Sequence, residues 1–325
     1  VLTAFVLMAL TPQAEAGSVI KVSSCLVKNH DQVETYFEAF HKPFNQLAKG
    51  EAKLNYIGGP EVTPRKKQAT ALKRGLIDMI FCPAGYYSGI VNAARLLGLS
   101  NQSTIQLRAN GGYELLQQSW AKNLNSKILA WCCYGVDFHI YTTYKPKESK
   151  TTGLDLTGVK MRSTGLYNQF FKAMHAIPVN ISATELYTAL QRGVVKGFAW
   201  PEGALAKMGV QKYIKYRVYP GFYRSTSMAT INLDKWKSLP KPVQEKLVKV
   251  GMDFEKKSQT ILRKKADIDN EKLFKAGMKK LELKGAVRKA YVDTVYGAKW
   301  KDNEKRKYIV PFETLKAKMF VPGGA

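Results

Sequence analysis

Residues able to do bond-making chemistry are sparse in this chain. Four histidines (His30, His41, His139, His175) leave few candidates for acid–base work among 325 residues. No P-loop, G-x-S-x-G, H-E-x-x-H or G-x-G-x-x-G occurs. Four cysteines, Cys25, Cys82, Cys132 and Cys133, stand in or beside apolar strand-like runs without C-x-x-C or zinc spacing. Buried free thiols are therefore expected, with no closure of Cys132 on Cys133, although an oxidising compartment leaves room for one long-range disulfide. One cation stands out. Of 51 basic residues only eleven are arginines, and Arg162 follows the alternating Val159-Lys160-Met161 just ahead of Ser163-Thr164-Gly165. An arginine where a strand runs into a loop is by counting a surface residue. Aimed into a cleft, its planar fork instead matches a carboxylate bidentately, which an ammonium cannot do.

The chain has room for two domains, and 45% hydrophobic with 11% aromatic residues gives them real cores. Its formal net charge of +26 raises nucleic acid or an anionic membrane as partners. The lysines are scattered, however, and short runs such as Arg263-Lys264-Lys265 lie beside acids at helical spacing, the pattern of a solvated helix face. No nucleic-acid partner is expected. Leu2 to Leu10 is an apolar run too short to span a bilayer, followed by Ala14-Glu15-Ala16 in the small-x-small form of a signal-peptidase site. Residues 1–16 thus read as a signal peptide lacking its basic n-region. The mature protein is expected to be soluble, outside the cytoplasm, beginning near Gly17.

Several elements can position Arg162. Val19–Val22, Leu54–Ile57 and Ile77–Cys82 read as strands, alternating with helices over Asp31–Ala48 (Asp31 as N-cap) and Lys66–Lys73. That order implies a mainly parallel sheet whose ligands bind beyond the strands' carboxyl ends. Pro83, Tyr86 and Tyr87 fall on that rim. Tyr113–Leu124 reads as a helix and Ile128–Thr143 as one long extended segment. A second α/β unit then runs through a strand to Met161, helices Leu166–Met174 and Thr184–Gln191, and a strand Gly197–Trp200. Pro242 to about Leu283 reads as a charged helix too long for one unit, so it should span both.

The segments LTGVKMRSTG, HAIPVN and SATELYTALQRGVVKGFAWP, with QATALKRGLIDMIF and LDKWKSLPKPVQEKL, resemble the extracytoplasmic solute receptors of tripartite ATP-independent periplasmic (TRAP) transporters, the dicarboxylate-binding (DctP) type. The resemblance covers most of the mature chain. It implies an α/β, two-lobed periplasmic-binding-protein-like fold with a cleft between the lobes and a long helix spanning both. Lobe I would comprise 17–138 plus 226–265, lobe II 139–225 plus 266–325. It further implies a periplasmic, non-enzymatic receptor, expected to be monomeric, that hands a small organic acid to membrane subunits and needs no cofactor. In the family the arginine ending the second-lobe strand clamps the ligand carboxylate, and it falls on Arg162.

This chain departs from the family at informative positions. Pro83 stands where sugar-acid-binding members have Glu, and His139 where they have a second arginine. Ala199-Trp200-Pro201 replaces Glu-Asn-Pro. A 2-oxo-acid subgroup with a bound cation carries Glu-Trp there, so Ala199 argues against a metal. The expected ligand-binding set is Arg162, Trp200, His139, Phe138, Phe198, Pro83, Tyr86, Tyr87, Tyr134 and Ala183. Strand alternation would send about half of the aromatics into the core. Glu185 and Tyr187 also match the family, and capping or packing would explain them equally. The expected ligand is a monocarboxylate, 2-oxo, 2-hydroxy or aromatic, with C4-dicarboxylates and sugar acids as the alternative.

Overall fold

The computed structural model describes residues 17–133, 135–164 and 166–321. The expected signal segment and Tyr134 lie outside them. Strand β1 (Ser18–Ser24) leads into α1 (Asp31–Tyr36), which passes through a π-helical turn at Phe37–His41 into α2 (Lys42–Leu47). His30, not Asp31, caps this helix: its Nδ1 accepts from the Gln32 amide at 3.2 Å. Strand β2 (Ala52–Gly58), α3 (Arg65–Lys73) and β3 (Met79–Pro83) complete the βαβαβ unit, with β1 pairing in parallel with both β2 and β3. After α4 (Thr104–Ala109) and α5 (Gly112–Leu124) comes β4 (Ser126–Cys132).

The segment expected to be one long strand is two. Strand β4 belongs to the first sheet and β5 (Asp137–Thr142) to the second, so the chain passes between sheets over 133–136. Phe138, expected at the end of lobe I, is thus part of the second sheet. A short ribbon of β6 (Lys147–Ser149) and β7 (Gly153–Asp155) precedes β8 (Lys160–Ser163), α6 (Asn168–Ala173), β9 (Ile177–Asn180), α7 (Leu186–Gln191) and β10 (Gly197–Pro201). Strands β11 (Tyr216–Tyr219) and β12 (Phe222–Arg224) follow, and β13 (Ser227–Asn232) returns to the first sheet between β3 and β4. The two crossings are tied together where the Ser225 amide donates to the Val136 carbonyl at 2.9 Å.

Helix α8 (Leu233–Ser238) leads to α9 (Lys241–Lys275), 35 residues long. Val243, Leu247, Val250 and Phe254 of α9 pack into the first sheet's core with Tyr36, Phe40 and Phe81. Its far end puts Leu273 into a core formed by Leu186, Phe198 and Ile214 of the second unit. The helix therefore spans both units, as its length required. It stops earlier than the charge pattern suggested. Gly277, at φ 95°, turns the chain into β14 (Lys279–Glu282), an edge strand parallel to β11. Helix α10 (Gly285–Glu304) packs on α6 and β7, whereas α11 (Phe312–Met319) returns to α5 beside the first sheet, so the tail is not confined to the second unit.

All four cysteines are bridged. Cys25 and Cys82 lie opposite one another because β1 and β3 are paired in register, with Cα atoms 4.9 Å apart. Cys132 and Cys133 are joined to each other where β4 ends, Cys133 having a φ of 80°. Cys25–Cys82 is the one long-range bridge for which the sequence left room, formed because β1 and β3 are neighbours, whereas the expectation that Cys132 would not close on Cys133 fails.

Candidate functional site

Arg162 is the penultimate residue of β8, which runs parallel to β9 on one side and β10 on the other. The register sets Phe198 beside Arg162, and β10 pairs antiparallel with β5 so that Trp200 faces His139 and Phe198 faces Tyr141. Alternation gives these residues one face of the sheet and sends Met161, Ala199 and Ile140 into the core on the other.

The Arg162 side chain is 3% exposed. Its Nε donates to the Ile181 carbonyl at 2.9 Å, and its guanidinium carbon sits 5.2 Å from the centroid of the half-buried Trp200 ring. No carboxylate lies within 4 Å of it among the described residues. Burial lowers its pKa, while the nearby Tyr167 and Tyr86 favour the charged form. A guanidinium stays protonated regardless. Arg217 is as deeply buried but has its charge paired: Glu202 lies 3.2 Å away and Asn270 accepts from Nη1, although its Nε has no hydrogen-bond partner. Burying a charge without a counter-ion is costly, so the unpaired cation marks a place where an anion would be welcome.

The other expected site residues divide. Tyr86 is half-buried, and its hydroxyl accepts from Arg65 Nη1 at 3.3 Å. Pro83 is half-buried at the end of β3, and Ala183 is half-buried in the turn before α7. In that turn Glu185 caps Ser182, accepting from its hydroxyl at 2.6 Å and its amide at 3.1 Å. Tyr87 is fully buried beneath the first sheet, its hydroxyl 3.2 Å from the Met228 carbonyl, which it donates to, and its ring beside Trp120. Phe198 is stacked on Tyr141 at 5.4 Å and is 1% exposed. Phe138 packs against Tyr167 and Phe222. His139 is buried with Nδ1 2.8 Å from the Val218 carbonyl, to which it donates, and Nε2 3.7 Å from Glu202. Burial, and then the Arg217 charge, push its pKa down to about 4, so the ring is neutral at pH 7.

Two residues near Arg162 escaped the sequence reading. Tyr167 is buried after β8 and close enough to act on the Arg162 charge, and Arg65 opens α3 and reaches Tyr86. Tyr167 lies five residues beyond Arg162, a proximity the sequence could have signalled; Arg65 is brought in only by the fold. Glu202 could not serve a metal while it holds Arg217 and Arg263. Among the described residues no group of three or more His, Cys, Asp or Glu is poised around a common metal position, and no helix is long and apolar enough to cross a membrane. An open groove of about 470 Å³ along α9, between Trp236 and Met252, mixes lysines with acids and contains no deeply buried charge.

Two α/β units joined by strand crossings and one long helix are the architecture of the two-lobed solute-binding proteins. The chain belongs to the DctP family, bacterial extracellular solute-binding protein family 7, whose model matches residues 23–303, and so to the TRAP receptors. A monocarboxylate 2-oxoacid-binding periplasmic protein of Nostoc sp. is 27% identical over 221 residues, 64% of this chain; the match spans 58% of that relative's length. The TRAP periplasmic solute-binding protein of Ochrobactrum anthropi superposes with a TM-score of 0.80 at 19% identity, over 93% of this chain and 95% of that one. The corresponding protein of Rhodobacter sphaeroides, in an apo open form, gives 0.77 at 17% identity over 93% and 97%.

Proposed function

We propose that this receptor captures a small monocarboxylate, holding the carboxylate on Arg162 as the two lobes close, and delivers it to the membrane subunits of a TRAP transporter. The observation that carries this reading is the buried, unpaired guanidinium beneath Trp200. A bidentate carboxylate would satisfy the fork's free donors, and the indole face would cover the adjoining apolar part of the ligand. The name of the Nostoc relative supports a 2-oxo or related acid. With Ala199 turned into the core and Glu202 already paired, binding should not require calcium or sodium. His139 is a poor candidate for a ligand contact, since its Nδ1 is spent on Val218.

Arg65 favours a second reading. It is half-buried, has no carboxylate partner within 4 Å among the described residues, and reaches Tyr86 beside the clamp. A C4-dicarboxylate could use it as a second cation. Titration calorimetry of metal-stripped protein against 2-oxo acids, aromatic acids, succinate and glucuronate separates these readings. Succinate binding that is lost in Arg65→Ala would establish the dicarboxylate reading. Tight glucuronate binding, or loss of all binding on adding chelator, would overturn the monocarboxylate reading.

A further inference from the structure

Lys207 touches none of the residues around Arg162, yet it joins the two units at a defined point. It lies in the segment after β10, which is anchored to α9: the Leu205 and Ala206 amides donate to the Asp269 carboxylate at 3.1 and 2.9 Å. From there Lys207 Nζ reaches Asp31 Oδ1 at 2.5 Å and comes within 3.8 Å of Glu34. Both acids lie on α1, which follows β1 of the first sheet. Asp31 is 8% exposed, and Lys207 is its one side-chain partner among the described residues. Glu34 accepts from Lys265 of α9 at 2.8 Å, so of the two ion pairs that Lys207 makes to α1 the one to Asp31 is the shorter and the one whose acid has no other side-chain partner among the described residues.

We propose that Lys207 is a positioning residue for closure: it latches the lobes through Asp31 and sets the balance of open and closed receptor without touching ligand. The proposal rests on the hinge-closing reading above. On this proposal, opening separates α1 from the segment after β10 and leaves the nearly buried Asp31 carboxylate to find water. A ligand that closes the lobes therefore completes an ion pair as well as its own contacts. The latch is partly solvated, the Lys207 side chain being 58% exposed, so salt should weaken it.

Small-angle scattering of the ligand-free chain tests this without knowledge of the ligand. Wild type, Lys207→Ala and Lys207→Arg would be measured at low and at molar salt. The expected result is that Lys207→Ala at low salt populates the larger, open form about two- to fivefold more than wild type does, the range for a partly exposed pair. Wild type should approach it at high salt, and Lys207→Arg should stay with wild type at low salt. An unchanged radius of gyration in Lys207→Ala, or a wild type already fully open at low salt, would overturn the latch. Because no ligand enters the measurement, its failure leaves the Arg162 clamp standing, and failure of the clamp leaves the latch standing.

Discussion

Arg162 and Arg217 are equally buried on neighbouring parts of one sheet, yet one is surrounded by carboxylate and amide and the other by an aromatic ring and a single carbonyl. On the proposed function, that contrast separates a structural cation from a binding one. The Glu202 cluster holds Arg217, Arg263 and, at longer range, His139. His139 should betray its setting through pH. Its folded pKa of about 4 lies below the usual 6.5, so between those values the unfolded chain binds the proton and the folded one does not. Stability should then fall as pH drops from 6.5 to 4, by up to ~3 kcal/mol for this residue. His41, also pushed down to about 4, and His30 contribute in the same sense, whereas the raised Asp137, Asp269 and Glu255 oppose it. Urea midpoints of wild type and His139→Asn across that range isolate the term. The variant should show the flatter dependence, and parallel curves would mean that His139 titrates normally.

Two glycines in helices make opposite predictions at the scale of elements. A Cβ on Gly251 of α9 would stand 2.4 Å from the Leu129 carbonyl of β4, which is backbone and cannot yield, whereas one on Gly297 of α10 meets nothing within 4 Å. Gly251→Ala should destabilise by about 1–3 kcal/mol. Gly297→Ala should stabilise by up to about 1 kcal/mol. Denaturant titration reads both, and equal effects would contradict the close packing of α9 on β4. The Cys25–Cys82 bridge closes a 57-residue separation, so Cys25→Ser with Cys82→Ser should cost about 2–4 kcal/mol. Thiol titration of the unfolded wild type should find no free thiol. These bridges show where sequence reading stopped. The βαβαβ order and the spanning helix were legible from periodicity. Which strands would be neighbours, and that Ile128–Thr143 breaks between two sheets, depend on tertiary pairing that periodicity does not encode. Residue type at a strand end only raised Arg162 as a candidate, which counting would have left on the surface and the family resemblance singled out, and the burial of Phe198 and Tyr87 follows from alternation and core packing once the sheets are assembled.

The molecule as a whole combines a two-unit architecture with a charge of +26. Two strand crossings, one long helix and the return of the tail from α10 to α11 connect the units, and Lys207 to Asp31 adds an ion pair between them. Scattered charge of this size assists the approach of anions of any kind, while the proposed function leaves selection to the buried fork. The account therefore stands or falls on Arg162. Titration calorimetry of wild type, Arg162→Ala and Arg162→Lys with the best-binding acid from the panel is the direct measurement. Arg162→Ala should lose about 3–5 kcal/mol, or roughly two to three and a half decades of affinity, with thermal stability of the ligand-free protein retained. Arg162→Lys should recover part of the loss, since it keeps the charge without the fork. An alanine variant that binds within about threefold of wild type, a difference under 1 kcal/mol, would show that the carboxylate is held elsewhere.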